Sequence, residues 1–289
     1  MNLAEQDLDA IAAIARSIGW GAAEILLEQS RSGFEMETTG NSPVTSADLA
    51  ANRYILEHLQ AAFGLETFAY LSEETHQSQP LESRLNRPWV WIIDPLDGTK
   101  DFINRTGEYA VHIALTYQGR PVVAIVACPE LGKLFFATKG GGTFREGRDR
   151  SPQPVKVSDK TTNLTIVASR SHRDQRFNQL LERFPVKDQR QVGSVGCKIA
   201  AIVEQQADLY LSLSGKSAPK DWDFAAPELI LTEAGGQFTY FDETPLQYNR
   251  EDVSQWGGVI ASNGKCHAEL STKANAILNE IDQGTKPLA

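Results

Sequence analysis

The chain has 289 residues, a formal net charge of −9 and 41% hydrophobic residues. That length allows one large domain or two modest ones with a substantial core, and the apolar content excludes a disordered chain. The acidic balance disfavours a nucleic-acid polymer, which needs a dense basic face, but leaves room for a small phosphorylated substrate held through bound cations.

Glu5, Asp7 and Asp9 stand where a signal peptide needs basic residues, and apolar runs such as Val122 to Cys128 are too short to cross a bilayer. A cytoplasmic protein without a membrane partner is therefore expected. Cys128, Cys197 and Cys266 lack metal-finger spacing and read as free thiols of a reducing compartment.

Leu8, Ile11, Ile14, Ile18, Ile25 and Leu26 recur at helical spacing. Ser42-Pro43 marks a break, after which Thr45 and Asp48 have the separation of a capping box at a helix start. Ile55, Leu56, Leu59 and Phe63 give that helix its apolar face. An apolar run, Thr67 to Leu71, precedes Ser72-Glu73-Glu74, and Trp89 to Ile93 reads as a buried strand. Alternation through Tyr109, Val111, Ile113, Leu115 and Tyr117, punctuated by Gln118-Gly119 and Leu131-Gly132, predicts antiparallel strands. Ser151 to Pro154 is the candidate boundary between an N-terminal part, 1–154, and a C-terminal part, 155–289. Beyond it strands are expected at Leu164–Ala168, Asp208–Leu213 and Val259-Ile260. Helices are expected at Gln175–Phe184, Lys198–Gln205, Phe224–Ala234 and Cys266–Ile281. The whole reads as α+β, a layered mixture of sheets and helices.

The richest stretch is Asp94-Pro95-Leu96-Asp97-Gly98-Thr99. It places two carboxylates, a glycine turn and a hydroxyl at a strand's C-terminal end, where open sheets bind ligands. Oxygen donors at this spacing suit Mg²⁺, and the Gly-Thr turn offers backbone N–H groups to a phosphate. An acidic β-turn uses the same residue types. Three further acidic motifs accompany it: Asp48, Glu73-Glu74 and Trp222-Asp223. Taken singly, Asp48 and Asp223 could serve only helix dipoles, and Glu73-Glu74 only a solvated loop.

Together, and in this order, the motifs Asp48, Glu73-Glu74, Asp94 to Thr99 and Trp222-Asp223-Phe224-Ala225-Ala226 resemble the Mg²⁺-dependent, lithium-sensitive phosphatase superfamily of inositol monophosphatases, fructose-1,6-bisphosphatases and 3′(2′),5′-bisphosphate nucleotidases. The resemblance implies that superfamily's α/β/α/β/α sandwich. It also implies two or three Mg²⁺ ions held by Glu73, Asp94, the Leu96 carbonyl, Asp97 and Asp223. The nucleophile it implies is a metal-bound water, oriented by Glu73 and polarised through Thr99 and Asp48, with no phosphoenzyme. Aspartyl-phosphate hydrolases use a similar loop, but their two acids are one residue apart, whereas Pro95 and Leu96 both intervene here.

Within the superfamily, Asp97-Gly98-Thr99-Lys100-Asp101-Phe102, Ser169-Arg170-Ser171-His172, Lys198 and the Ala-Pro form of Asp223 to Glu228 are nearest the bisphosphate nucleotidases. The implied substrate contacts are Asp97, Gly98, Thr99, His172, Ser194 and Lys198. The implied reaction converts 3′-phosphoadenosine 5′-phosphate to AMP, in a monomer or homodimer. Two departures stand out. Val195-Gly196-Cys197 replaces a serine pair before the lysine, and Leu211-Ser212 stands where an arginine is expected, a role open to Lys216 or Lys220. Inositol or sugar phosphates are the alternative substrates, and a non-catalytic nucleotide sensor is the alternative of another class.

Overall fold

The computed structural model describes residues 8–39, 42–170 and 173–284. Helix α1 (Leu8–Ser32) buries Ile11, Ala15, Ile18, Ala22 and Leu26, steps of three and four that define one face. Ile14 falls outside that stripe and is exposed. Contrary to expectation, α1 is by length and composition apolar enough to cross a membrane, although 56% of its most apolar window is buried inside the fold. A two-stranded ribbon, β1 (Met36–Thr39) and β2 (Ser42–Thr45), leads into α2 (Ser46–Phe63). The predicted capping box opens α2. Thr45 Oγ1 accepts from the Ala47 and Asp48 N–H groups, and Asp48 Oδ2 accepts from the Thr45 N–H at 2.7 Å.

The chain then builds β3 (Phe68–Ser72), a short helix α3 (Glu82–Leu85), β4 (Trp89–Asp97) and a short helix α4 (Thr99–Ile103). An antiparallel succession follows: β5 (Ala110–Tyr117), β6 (Arg120–Cys128), β7 (Lys133–Thr138), β8 (Gly142–Glu146) and β9 (Gln153–Val155). Strands β3 to β9 form one seven-stranded sheet in chain order, with β3 and β4 parallel. Gln118 and Gly119, at φ of +50° and +73°, make the tight β5–β6 turn. The strand expected to stop at Ile93 continues to Asp97, with a register shift between Asp94 and Asp97. Pro95, which has no N–H to donate, accounts for an irregularity there. Residues 151 and 152 lead into β9, the edge strand paired with β8, which contains Gln153 and Pro154 and where a proline is tolerated.

The second half comprises β10 (Thr165–Ala168), α5 (Gln175–Arg183), β11 (Asp188–Gln191), α6 (Val195–Val203), β12 (Leu209–Leu213), α7 (Asp221–Glu233), β13 (Gln237–Tyr240), β14 (Gly258–Ser262) and α8 (His267–Gly284). Its five-stranded sheet has the order β11-β10-β12-β14-β13 and mixes parallel and antiparallel pairs. Two helices start three residues earlier than the apolar periodicity predicts. Lys198 is therefore the fourth residue of α6, and Asp223 lies inside the first turn of α7. Capping explains the shift. The Ser194 hydroxyl accepts from the Cys197 N–H at 2.9 Å, and Asp223 accepts from the Lys220 N–H at 2.5 Å.

Three apolar clusters define the layers. Helices α1 and α2 pack on the face of the seven-stranded sheet that carries Trp91, Ile93 and Ile113. Its other face, with Val90, Ile92 and Ala114, meets α6 and α7, which also touch Val167, Tyr210 and Val259 of the second sheet. Helices α5 and α8 cover the outer face of that second sheet through Phe177, Leu180, Ala274 and Ile277. The order is α/β/α/β/α, and burial on both faces explains the unbroken apolar run at Trp89 to Ile93. Helix α7 is fixed to the first sheet by buried Glu228, which accepts from Arg120 and, at 2.5 Å, from the Tyr248 hydroxyl.

Candidate active site

Strands β3 and β4 run parallel, with Ser72 opposite Ile93, so Glu73 comes just past the end of β3 at the level where Asp94 continues along β4. Asp97 ends β4, and α7 brings Asp223 from the far side of the chain. Carboxylate oxygens of Asp94, Asp97 and Asp223 lie within 4.8 Å of one another. Glu73 is outside this tightest group, yet near enough to interact electrostatically with Asp223, Asp48 and Asp97.

Each member of the group, and Asp48 beside it, uses one oxygen to hold backbone. Asp94 Oδ1 accepts from the Leu96 N–H at 3.0 Å, and Asp97 Oδ2 from the Gly196 N–H at 3.2 Å. Asp223 Oδ2 accepts from the Lys220 N–H. In Asp48, Oδ2 takes the Thr45 N–H and hydroxyl, while Oδ1 accepts from the Thr99 hydroxyl at 3.3 Å. The Thr99 hydroxyl also reaches the Leu96 carbonyl at 3.2 Å. Hydroxyl and carboxylate are thus paired next to the acidic group.

The electrostatics show a charge deficit. Burial first, then repulsion from Asp97, pushes the Asp223 carboxyl up to about 7. Burial and the charges of Glu73, Asp97 and Asp223 hold Asp94 well above the usual carboxylate range. Glu73 is raised well above it by burial and by Asp223, Glu74 and Asp48, while burial and Asp48 raise Glu74 to about 7. Asp48 is raised chiefly by burial, against its hydrogen bonds. Buried carboxylates this close need a cation or protons, and an all-oxygen donor set fits a hard divalent cation such as Mg²⁺.

Opposite the acids lies the segment leading into α6. Gly98, at φ +92°, turns the chain with the left-handed geometry that favours glycine. A Cβ on Gly98 would meet the Ser194 side chain at 3.2 Å, so Ser194 sits directly against the turn. Lys198 is 2% exposed. Its Nζ donates to the Gly193 carbonyl and lies 5.4 Å from the Tyr210 ring centre, and burial lowers its pKa. Arg170 donates to Asp101 and, at 2.6 Å, to Glu108, which also accepts from the Gly193 N–H at 2.9 Å. Lys220 Nζ is engaged with Ser254 Oγ at 2.7 Å. His172 lies outside the described residues. Asp48, Glu73, Asp94, Asp97, Thr99 and Asp223 are thus gathered at one place, with Gly98 and Ser194 at its rim and Lys198 turned into the protein.

One residue of this neighbourhood has no counterpart among the sequence expectations. His112, on β5 opposite Asp94, is 1% exposed, with Nε2 3.3 Å from Asp97 Oδ2 and Nδ1 3.2 Å from the Trp222 carbonyl. Its only sequence signal was a polar residue between Ala110 and Ala114, on the face of β5 opposite the one marked by large apolar residues.

The comparisons with known proteins agree with this geometry. The sequence matches the inositol monophosphatase family over residues 7–282. It is 35% identical over 208 residues to a 3′(2′),5′-bisphosphate nucleotidase CysQ of Salmonella typhimurium, covering 72% of this chain and 80% of that one. The fold matches the crystal structure of CysQ from Bacteroides thetaiotaomicron with a TM-score of 0.72 at 28% identity, covering 91% and 99% of the two chains. An inositol monophosphatase from Anabaena aligns with a TM-score of 0.73 at 24% identity over 98% and 99%. With the family matched along nearly its full length and the acidic group assembled from four separate segments, the chain belongs to the inositol monophosphatase family.

Proposed function

We propose that this chain is a Mg²⁺-dependent phosphomonoesterase that removes the 3′-phosphate of 3′-phosphoadenosine 5′-phosphate to give AMP. The observation that carries the phosphatase assignment is the convergence of Asp94, Asp97 and Asp223 beside the Asp48–Thr99 pair. The substrate comes from the nucleotidases it resembles at 30% identity and above.

Glu73, Asp94, Asp97, Asp223 and the Leu96 carbonyl would hold two or three Mg²⁺ ions. Bound there, the ions supply Lewis acidity, favouring hydroxide formation from water and neutralising charge on the leaving oxygen. The rest falls to the chain's own groups. With its hydrogen directed to Asp48 or Leu96, the Thr99 oxygen has lone pairs free to accept from an attacking water. Proton transfer from that water through Thr99 ends on Asp48, whose raised pKa makes it a better acceptor. Backbone N–H groups of Gly98 and Thr99 would orient the phosphate, with Ser194 and Lys198 as further substrate contacts; His172 keeps that role from the resemblance alone. Lys198 would have to release the Gly193 carbonyl to reach a phosphate.

Phosphate release from 3′-phosphoadenosine 5′-phosphate, inositol 1-phosphate and fructose 1,6-bisphosphate, assayed in parallel at matched Mg²⁺, tests the proposal. The bisphosphonucleotide should have the highest kcat/KM. Faster turnover of inositol 1-phosphate or the sugar bisphosphate would reassign the substrate. Tight nucleotide binding with no release from any of the three would make the chain a sensor.

A further inference from the structure

The Candidate site leaves one buried polar side chain without a role. His112 stands on β5, a strand that supplies no metal-site acid, yet its ring reaches two segments that do. Nδ1 is 3.2 Å from the carbonyl of Trp222, the residue before Asp223. Nε2 has no hydrogen-bond partner and faces Asp97 Oδ2 at 3.3 Å. A carbonyl oxygen only accepts, so Nδ1 carries the hydrogen of the first contact. A buried polar atom without a partner requires an explanation.

The surroundings fix the ring tightly. A Cβ on Gly196 would collide with Nε2 and would also press on Val126 Cγ1 at 2.8 Å. Gly196 donates its N–H to the same Asp97 oxygen at 3.2 Å. Asp97 Oδ2 is thereby confined between the first turn of α6 and the edge of the imidazole. The ring is itself anchored to the first turn of α7. One side chain therefore packs its ring edge against Asp97 of β4, without a hydrogen bond there, and hydrogen-bonds through Nδ1 to the first turn of the helix that carries Asp223.

Resting on the reading of these acids as a cation site, we infer that His112 is a positioning residue for divalent-cation binding, holding Asp97 and the Asp223 turn at a fixed separation. Groups behind metal ligands typically change affinity about 10- to 100-fold when removed.

The test is titration calorimetry of the metal-stripped, full-length chain with MgCl₂. His112→Phe keeps the ring volume and loses both nitrogens; its Mg²⁺ dissociation constant should rise about tenfold or more. Activity should need correspondingly more Mg²⁺ for half-saturation, with kcat recovering at high Mg²⁺. His112→Asn keeps a donor near the Nδ1 position and should stay within about threefold of wild type. Val126→Ala loosens the same packing without touching Asp97 and should bind Mg²⁺ normally. If His112→Phe does not fold, His112→Leu replaces it. Mg²⁺ affinity within twofold of wild type in the folded Phe or Leu variant overturns the inference. So does an equal loss in Val126→Ala, or an Asn variant as weak as Phe. Failure of the wild-type chain to bind Mg²⁺ would instead overturn the cation-site reading itself.

Discussion

The two walls of the candidate site are built on different principles. On the acidic wall, three of the four aspartates are held by contacts two or three residues away: Asp48 by Thr45, Asp94 by Leu96 and Asp223 by Lys220. The opposite wall is held by contacts across the fold. Arg170 binds Asp101 and Glu108, Gly193 binds Glu108, and Gly193 has no room for a Cβ between Glu108 and Asp101. Local turns thus shape the wall assigned to cations, and tertiary packing shapes the wall assigned to substrate. Chemistry and specificity should be separable by mutation.

The sharpest way to break that separation is on the acidic side. Asp94→Asn and Asp223→Asn each keep an oxygen for their local backbone donor, so the fold should survive. Turnover should fall about a thousandfold or more with loss of a cation ligand, while the melting temperature without metal stays at or above wild type. Circular dichroism and a phosphate-release assay on the same samples check this, and a variant retaining a tenth of wild-type turnover would refute it.

On the opposite wall, Arg170→Met should raise KM about three- to tenfold with kcat little changed, because it removes charge-assisted hydrogen bonds that are partly exposed. Steady-state kinetics separate the two constants. A kcat loss matching that of Asp94→Asn would show that the walls act as one unit.

The smallest expected effect is on stability. The Asp223 carboxyl titrates at about 7 in the folded chain against an ordinary 3.8. Between those values the folded chain keeps a proton that the unfolded chain has released. Its contribution to stability is full below about 3.8 and is lost as pH rises to about 7. In EDTA, the melting temperature of Asp223→Asn should therefore gain on wild type by a few degrees between pH 5 and pH 8. Saturating Mg²⁺ should close the gap or reverse it in favour of wild type. A gap that is constant with pH would mean that Asp223 carries no such strain.

The same contrast decides how much was legible in the sequence. Thr45 and Asp48 announced their capping box, and the Asp94 to Thr99 stretch announced a strand end bearing acids, because both are determined within a few residues. The starts of α6 and α7 were misplaced because capping contacts set them, the Ser194 hydroxyl on the Cys197 N–H and the Asp223 carboxylate on the Lys220 N–H, and apolar spacing does not register these. His112 was unreadable for another reason. Alternation along β5 marks the face of Val111, Ile113 and Leu115 as core, and only the packing of α6 and α7 makes its other face interior as well. Arg170 pairs with Asp101 across 69 positions, a separation no local pattern encodes.

The division of labour within each carboxylate has a kinetic consequence. Because Asp94, Asp97 and Asp223 are each tethered through one oxygen, an ion arriving at that group would meet three carboxylates already held in place. Mg²⁺ sheds its water shell reluctantly, so ion loading here should be paced by cation dehydration and not by motion of the polypeptide.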